Sequence, residues 1–115
     1  FVELLARHAV ALLVDVRAAP YSRRHPQFRR ETLAPTLAAH GIRYRWLGVA
    51  LGGRRAPPDA HPHTALDEPA FQAYAEHLAT ADFQAALARV ASASERHRLA
   101  LMCAEADHTH CHRQF

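Results

Sequence analysis

The sequence predicts an α/β domain built on an open, mostly parallel sheet with helices on both faces, a three-layer arrangement. Three observations carry that prediction. Ala11-Leu-Leu-Val-Asp-Val16 is a continuous apolar run of strand length, the pattern of a strand buried on both faces. Helical and strand patterns alternate along the chain in the order helix, strand, helix, strand, helices, strand, helix. Half of the residues are hydrophobic and 22% are charged, which suits a packed core and argues against a disordered chain.

The elements follow in order. Apolar residues at 1, 2, 4, 5 and 9 have helical spacing over Phe1–Ala9. The buried strand at 11–16 comes next, and residues 17–29, with Pro20, Ser22 and Pro26, read as a polar loop. Leu33, Leu37 and Ala38 give a helix over Arg30–His40 with Gly41 just past its C-terminus; Pro35 is then expected in its first turn, or the helix starts later. Ile42-Arg-Tyr-Arg-Trp-Leu47 alternates and is rich in strand formers. Gly48, Gly52, Gly53 and the Pro/His-rich stretch to Leu66 read as one long loop. Asp67 is expected to cap a helix carrying Phe71, Tyr74, Ala75 and Leu78, and Thr80 to cap another with Phe83, Leu87 and Val90 facing inward. Leu99–Cys103 is the third strand, and a helix is expected after it.

At 115 residues the chain has room for one small domain. It has no initiator Met and stops at Phe115 inside a helical pattern, so the domain is expected to be trimmed or disordered at one or both ends. No apolar stretch approaches the roughly 20 residues of a membrane span, and there is no signal-like leader. Two cysteines in an ordinary core composition argue against a disulfide scaffold and for a reducing cytoplasm. All the basic residues are Arg. Nine of them (17, 23, 24, 29, 30, 43, 45, 54 and 55) fall between Val16 and Pro58, against the single acid Glu31. That field suits an anionic partner: a small molecule, a nucleotide-type ligand or a nucleic-acid backbone. A solvated basic face is the plain alternative.

In an open parallel sheet, ligands bind beyond the carboxyl ends of the strands. Those ends deliver Asp15 and Arg17, then the Gly52-Gly53-Arg54 loop, then Cys103 and Glu105. Beyond them lie His108, His110 and the Cys111-His112-Arg113 segment. Cys103 is the candidate nucleophile, its thiolate favoured by nearby amides and Arg113, with Glu105 and His112 as acid–base partners. An inert strand-end thiol is the competing reading. Arg17 is a candidate anion clamp or a structural partner for Asp15 or Glu105. Ser22, Arg54, Cys111 and Arg113 complete the candidate ligand-binding set, and Gly52 and Gly53 allow close backbone approach.

The same segments resemble a known family. They are Leu13-Val-Asp-Val-Arg17 with Pro20 and Ser22, Phe28, Gly41-Ile42 with Tyr44, and Leu47-Gly48 with Leu51-Gly52-Gly53. Phe71 with Tyr74-Ala75, Thr80 with Phe83, and Met102-Cys-Ala-Glu105 with Cys111-His-Arg113 complete the series. The series resembles the domain-of-unknown-function family 488 over nearly the whole chain. The resemblance implies a cytoplasmic prokaryotic α/β domain without a settled role. Members usually begin with a further strand and a Gly-His-Ser-like turn that this chain lacks.

Taken together, the expectation is a small cytoplasmic enzyme with a Cys/Glu/Arg site for an anionic or nucleotide-type ligand. One alternative is a non-catalytic nucleic-acid-binding module using the arginines of 17–55. Another is a zinc-binding or rhodanese-like sulfur-transfer domain. The segment Ala104–His110 has no Gly for the tight anion-cradling loop of rhodanese-like proteins. For zinc, Cys103, His108, His110, Cys111 and His112 offer suitable donors. The usual paired-cysteine spacing is missing, and adjacent Cys111 and His112 are not expected to share one ion, so no metal ligand is assigned. Nothing in the sequence specifies a cofactor.

Overall fold

The computed structural model describes residues 1–55 and 69–114, apart from the side chains of 69–71. At its centre is β1 (Leu12–Asp15), whose four residues are all buried. It pairs in parallel with β2 (Arg43–Trp46) on one side and β3 (Leu99–Met102) on the other, giving the order β2-β1-β3. Leu13 stands opposite Tyr44 and Ala100, and Asp15 opposite Trp46 and Met102. All three strands therefore end at the same edge.

The continuous apolarity of β1 is explained by what covers it. Leu12, Val14 and Val16 pack on one face against Leu51, Tyr74, Phe83 and Ala86. Leu13 packs on the other face with Leu5, Val10, Leu33, Leu37 and Ile42. The first layer comes from α3 (Gly48–Leu51), α4 (Pro69–Leu78) and α5 (Ala81–Arg96). The second comes from α1 (Val2–Arg7) and α2 (Arg30–Ala39). Each fully buried Leu contributes roughly 1.5–3 kcal/mol of transfer free energy, so both layers are needed to hold the sheet.

Local signals fix the boundaries. Gly41 has φ +72° after α2; its N–H donates to Ala38 and that of Ile42 donates to Leu37, both at 3.0 Å. Ile42 and Leu37 share the same core, so the turn closes the helix and starts β2 in one step. Thr80 caps α5 as expected, its Oγ1 accepting from the Phe83 N–H at 3.3 Å. β2 alternates exposed Arg43 and Arg45 with half-buried Tyr44 and Trp46.

Four expectations need correction. Leu87, expected to face inward on α5, is 45% exposed. Pro35 lies inside α2 and not in its first turn. Burial of Leu33 and Leu37, at 2% and 0% exposure, outweighs the one backbone hydrogen bond that an exposed Pro35 forfeits. The segment after Trp46 is not loop throughout, because Gly48–Leu51 forms a single helical turn. A Cβ on Gly48 would sit 2.0 Å from the Arg17 carbonyl oxygen and 2.4 Å from Trp46 Nε1, so glycine is required there. After β3 the chain makes two 3-10 turns, His108–His110 and His112–Gln114, in place of the expected helix. Asp107 starts the first turn by accepting from the Thr109 N–H at 2.9 Å. The expected Asp67 cap, His61 and His63 lie outside the described residues, as does the Phe71 side chain.

Candidate functional site

The strand ends build two side-chain groups at one edge. The first grows from β1. Asp15 is fully buried, and its Oδ1 accepts from the Arg17 backbone N–H at 3.0 Å and from Arg17 Nε at 2.9 Å. Its Oδ2 accepts from Arg17 Nη2 and from the Tyr44 hydroxyl, both at 2.6 Å. Arg17 Nη2 also donates to the Phe28 carbonyl at 2.9 Å, tying the 17–29 loop to the sheet. Burial opposes the Arg17 charge, but the hydrogen bonds and field of Asp15 outweigh it and raise its pKa above the ordinary value. Tyr44 is pushed above the usual phenol range by burial, with the adjacent Asp15 carboxylate adding to the shift. The structure therefore shows Arg17 as the ion-pair partner of Asp15.

The second group grows from β3. Cys103 is the first residue beyond that strand and is half-buried; Cys111 is 2% exposed and His112 is 9% exposed. His112 Nδ1 stands 3.7 Å from Cys103 Sγ and 3.4 Å from Cys111 Sγ. Arg113 Nε donates to Cys111 Sγ at 3.2 Å, and Arg113 Nη2 donates to the Glu105 carbonyl. The His112 ring is held edge-on to Tyr74, with centroids 5.2 Å apart. Gly53 lies on the ring: a Cβ there would sit 2.5 Å from His112 Cγ. His112 Nε2 is buried without a hydrogen-bond partner among the described residues.

The two thiols differ. Burial raises the Cys103 pKa and the neighbouring Cys111 adds to the rise, against the amides of Glu105 and Ala104. Burial also opposes ionisation of Cys111, but the amide and guanidinium of Arg113 and the hydrogen bond from Cys103 outweigh it, so its pKa is lowered. Arg113 thus acts on Cys111, and the expected lowering at Cys103 is not found. Burial lowers the His112 pKa, and Arg113 and Arg55 lower it further, while the Leu51 carbonyl opposes them. Burial thus favours the uncharged forms of both the His112 imidazole and the Cys103 thiol.

Both groups border a cleft of about 770 Å3 at the carboxyl ends of the strands. Of the sequence-derived set, Arg17, Ser22, Gly53, Arg54, Cys103, Glu105, Cys111 and His112 line it. Asp15, Gly52 and Arg113 are not part of this lining. The Ser22 hydroxyl accepts from the His25 N–H at 3.0 Å. Glu105 is exposed, and its carboxylate makes no hydrogen bond among the described residues. The close approach allowed at Gly52 is to the Gly48 carbonyl oxygen, 2.3 Å from a Cβ built there. His25 also lines the cleft and has no place among the sequence candidates, and His110, a zinc-donor candidate there, lines it too. His110 is exposed and shares the Asp107 carboxylate with Thr109. Only long-range folding brings His25 to the cleft, so local spacing gives no sign of it.

The arginines of 17–55 do not form one surface. Arg17 is consumed by Asp15, Arg29 lies over the Tyr21 ring at 4.5 Å, and Arg30 lies over Trp46 at 4.9 Å. Arg55 donates to the Gly52 and Val49 carbonyls. Arg43 and Arg45 instead join Arg89 and Arg96 along a separate groove at the β2 edge.

Fold and site define a three-layer α/β domain with a paired-thiol and imidazole centre at the open end of a parallel sheet. Comparison with known families then places it: the profile of domain of unknown function DUF488 matches residues 1–115, and the chain belongs to that family. No curated protein and no solved structure gives a significant match. Among the described residues, no helix is long and apolar enough to cross a membrane.

Proposed function

We propose that the chain is a cytoplasmic thiol-dependent enzyme acting on a small anionic, nucleotide-type ligand held in the cleft. The observation that carries this reading is the convergence of Cys103, Cys111 and His112 in a cleft at the carboxyl ends of the strands. Cys103 is the nucleophile. His112 Nδ1 accepts its proton as the sulfur attacks, which is general-base activation of a thiol that rests neutral. The Ala104 and Glu105 amides approach the sulfur and favour negative charge there. Arg54 supplies positive charge at the lining, and exposed Glu105 is the rim acid available to a leaving group. A reducing cytoplasm keeps both thiols free.

Alkylation with two reagents tests this reading without knowledge of the substrate. Iodoacetate is anionic and iodoacetamide is neutral. Expressed relative to glutathione, Cys103 should prefer iodoacetate, inorganic phosphate should slow the reaction, and Arg54→Ala should erase the preference. Equal relative rates with both reagents, unaffected by phosphate, would overturn the anionic-ligand reading.

The groove at the β2 edge supports a second reading. Arg43, Arg45, Arg89 and Arg96 line about 770 Å3 there and suit a nucleic-acid backbone. Binding to single- or double-stranded DNA should weaken steeply with salt and lose affinity in an Arg43→Ala/Arg45→Ala variant. Unchanged binding in that variant would remove this reading.

A further inference from the structure

The thiol and imidazole groups of the cleft also have the geometry of a metal site. A tetrahedral zinc ion, with Zn–S near 2.3 Å and Zn–N near 2.0–2.1 Å, separates a sulfur ligand from a nitrogen ligand by about 3.6 Å. His112 Nδ1 stands 3.4 Å from Cys111 Sγ and 3.7 Å from Cys103 Sγ, one on each side of that value. All three donor atoms lie within 4.8 Å of one another. From the sequence, adjacent Cys111 and His112 are not expected to share one ion. That expectation fails here because Cys111 is extended, with φ −137° and ψ 151°, while His112 opens a 3-10 turn that folds its ring back onto the Cys111 sulfur.

The surroundings support occupancy. Gly53 and Tyr74 hold the imidazole in place, which lowers the entropy lost when it binds an ion. Arg113 donates to Cys111 Sγ, a contact of the kind that tunes a metal-bound thiolate. Two thiols and one imidazole are borderline-soft donors, which select zinc over magnesium or calcium.

We infer that Cys103 Sγ, Cys111 Sγ and His112 Nδ1 bind one zinc ion, with a water or a cleft anion in the fourth position. Three bonds form from the protein donors, and the protons carried by the sulfurs pass to solvent. Zinc occupies the sulfur that acts as nucleophile in the proposed reaction, so the metal-bound state is the closed form of the site and the metal-free state the reactive one. The metal inference stands on its own geometry and holds whether or not Cys103 is a nucleophile.

The test uses the whole chain, stripped of metal and kept reduced. Titration with Co2+ should give thiolate-to-cobalt charge transfer and tetrahedral d–d bands that saturate at one equivalent. Zn2+ should displace the cobalt and block alkylation of Cys103. Cys103→Ser and His112→Asn should each weaken zinc binding by about tenfold or more. Because a Cys111 variant can fail to fold, X-ray absorption of the zinc-loaded wild type replaces it and should show two sulfurs and one imidazole nitrogen. A cobalt spectrum without charge transfer, or a zinc shell of nitrogen and oxygen only, would show surface histidines as the binders and overturn the inference. Fast Cys103 alkylation without sulfur-ligated zinc would leave the enzyme reading intact and remove the metal. Sulfur-ligated zinc with a metal-free Cys103 no more reactive than glutathione would do the reverse.

Discussion

The Asp15–Arg17–Tyr44 group and the Cys103–Cys111–His112 group lie at the same sheet edge, yet their polar atoms are used differently. In the first, both carboxylate oxygens are satisfied, four hydrogen bonds reach them, and the neighbouring loop is tied in through Phe28. In the second, one buried imidazole nitrogen has only the Leu51 carbonyl near it among the described residues, and two thiols face the ring's Nδ1 at sulfur-contact distance. A network that satisfies itself makes a scaffold. One that leaves donors converging on a cleft is available to a ligand. The sequence brings Arg17 and Cys103 to one sheet edge, and the structure separates their duties.

The largest expected effect falls on the first group. Asp15→Ala leaves a buried guanidinium unpaired and should cost about 3–5 kcal/mol, read from urea unfolding. A loss below about 1 kcal/mol would show that the pair is not the scaffold. Gly53→Ala comes next because it acts directly on the second group through His112. The added methyl must displace the His112 ring, costing about 1–3 kcal/mol and slowing Cys103 alkylation in the folded protein. An unchanged alkylation rate would mean that ring position is irrelevant to the thiol.

Tyr44→Phe removes one of the four hydrogen bonds to Asp15 and should cost about 1–3 kcal/mol. It should also change the response to alkali. The folded Tyr44 pKa is raised above the ordinary value of 10.0, so its contribution is full below that pH and is lost as pH rises through the folded value. Wild type should therefore lose stability above pH about 10 more steeply than Tyr44→Phe, and parallel curves would contradict the assignment. The smallest change in stability is expected for Cys103→Ser, within about 1 kcal/mol, because Cys103 is only half-buried at the cleft. Its reactive thiol disappears all the same.

Elements with a local cause were legible in the sequence. β1 announces itself because both its faces are covered, Gly41 because a left-handed residue closes α2, and Thr80 because its hydroxyl caps α5. Pro35 misled because the two-sided pull of Leu33 and Leu37 is a tertiary effect. The chain after Cys103 was read as helix because short 3-10 turns carry no periodicity of their own. The site's place at the strand ends followed from parallel topology. Its internal arrangement did not. Which thiol Arg113 touches, and whether Cys111 and His112 point together, depend on backbone angles over three residues. Gly53 was read as room for a ligand, and the room is filled by His112.

The most direct test of the division between scaffold and reactive centre is the site-resolved alkylation rate of Cys103 in metal-free wild type and His112→Asn at neutral pH. With His112 taking the proton, Cys103 should react faster than Cys111, and the variant should be slower by about tenfold or more while unfolding at a similar urea concentration. Equal rates in the two proteins, or faster labelling of Cys111, would contradict the account.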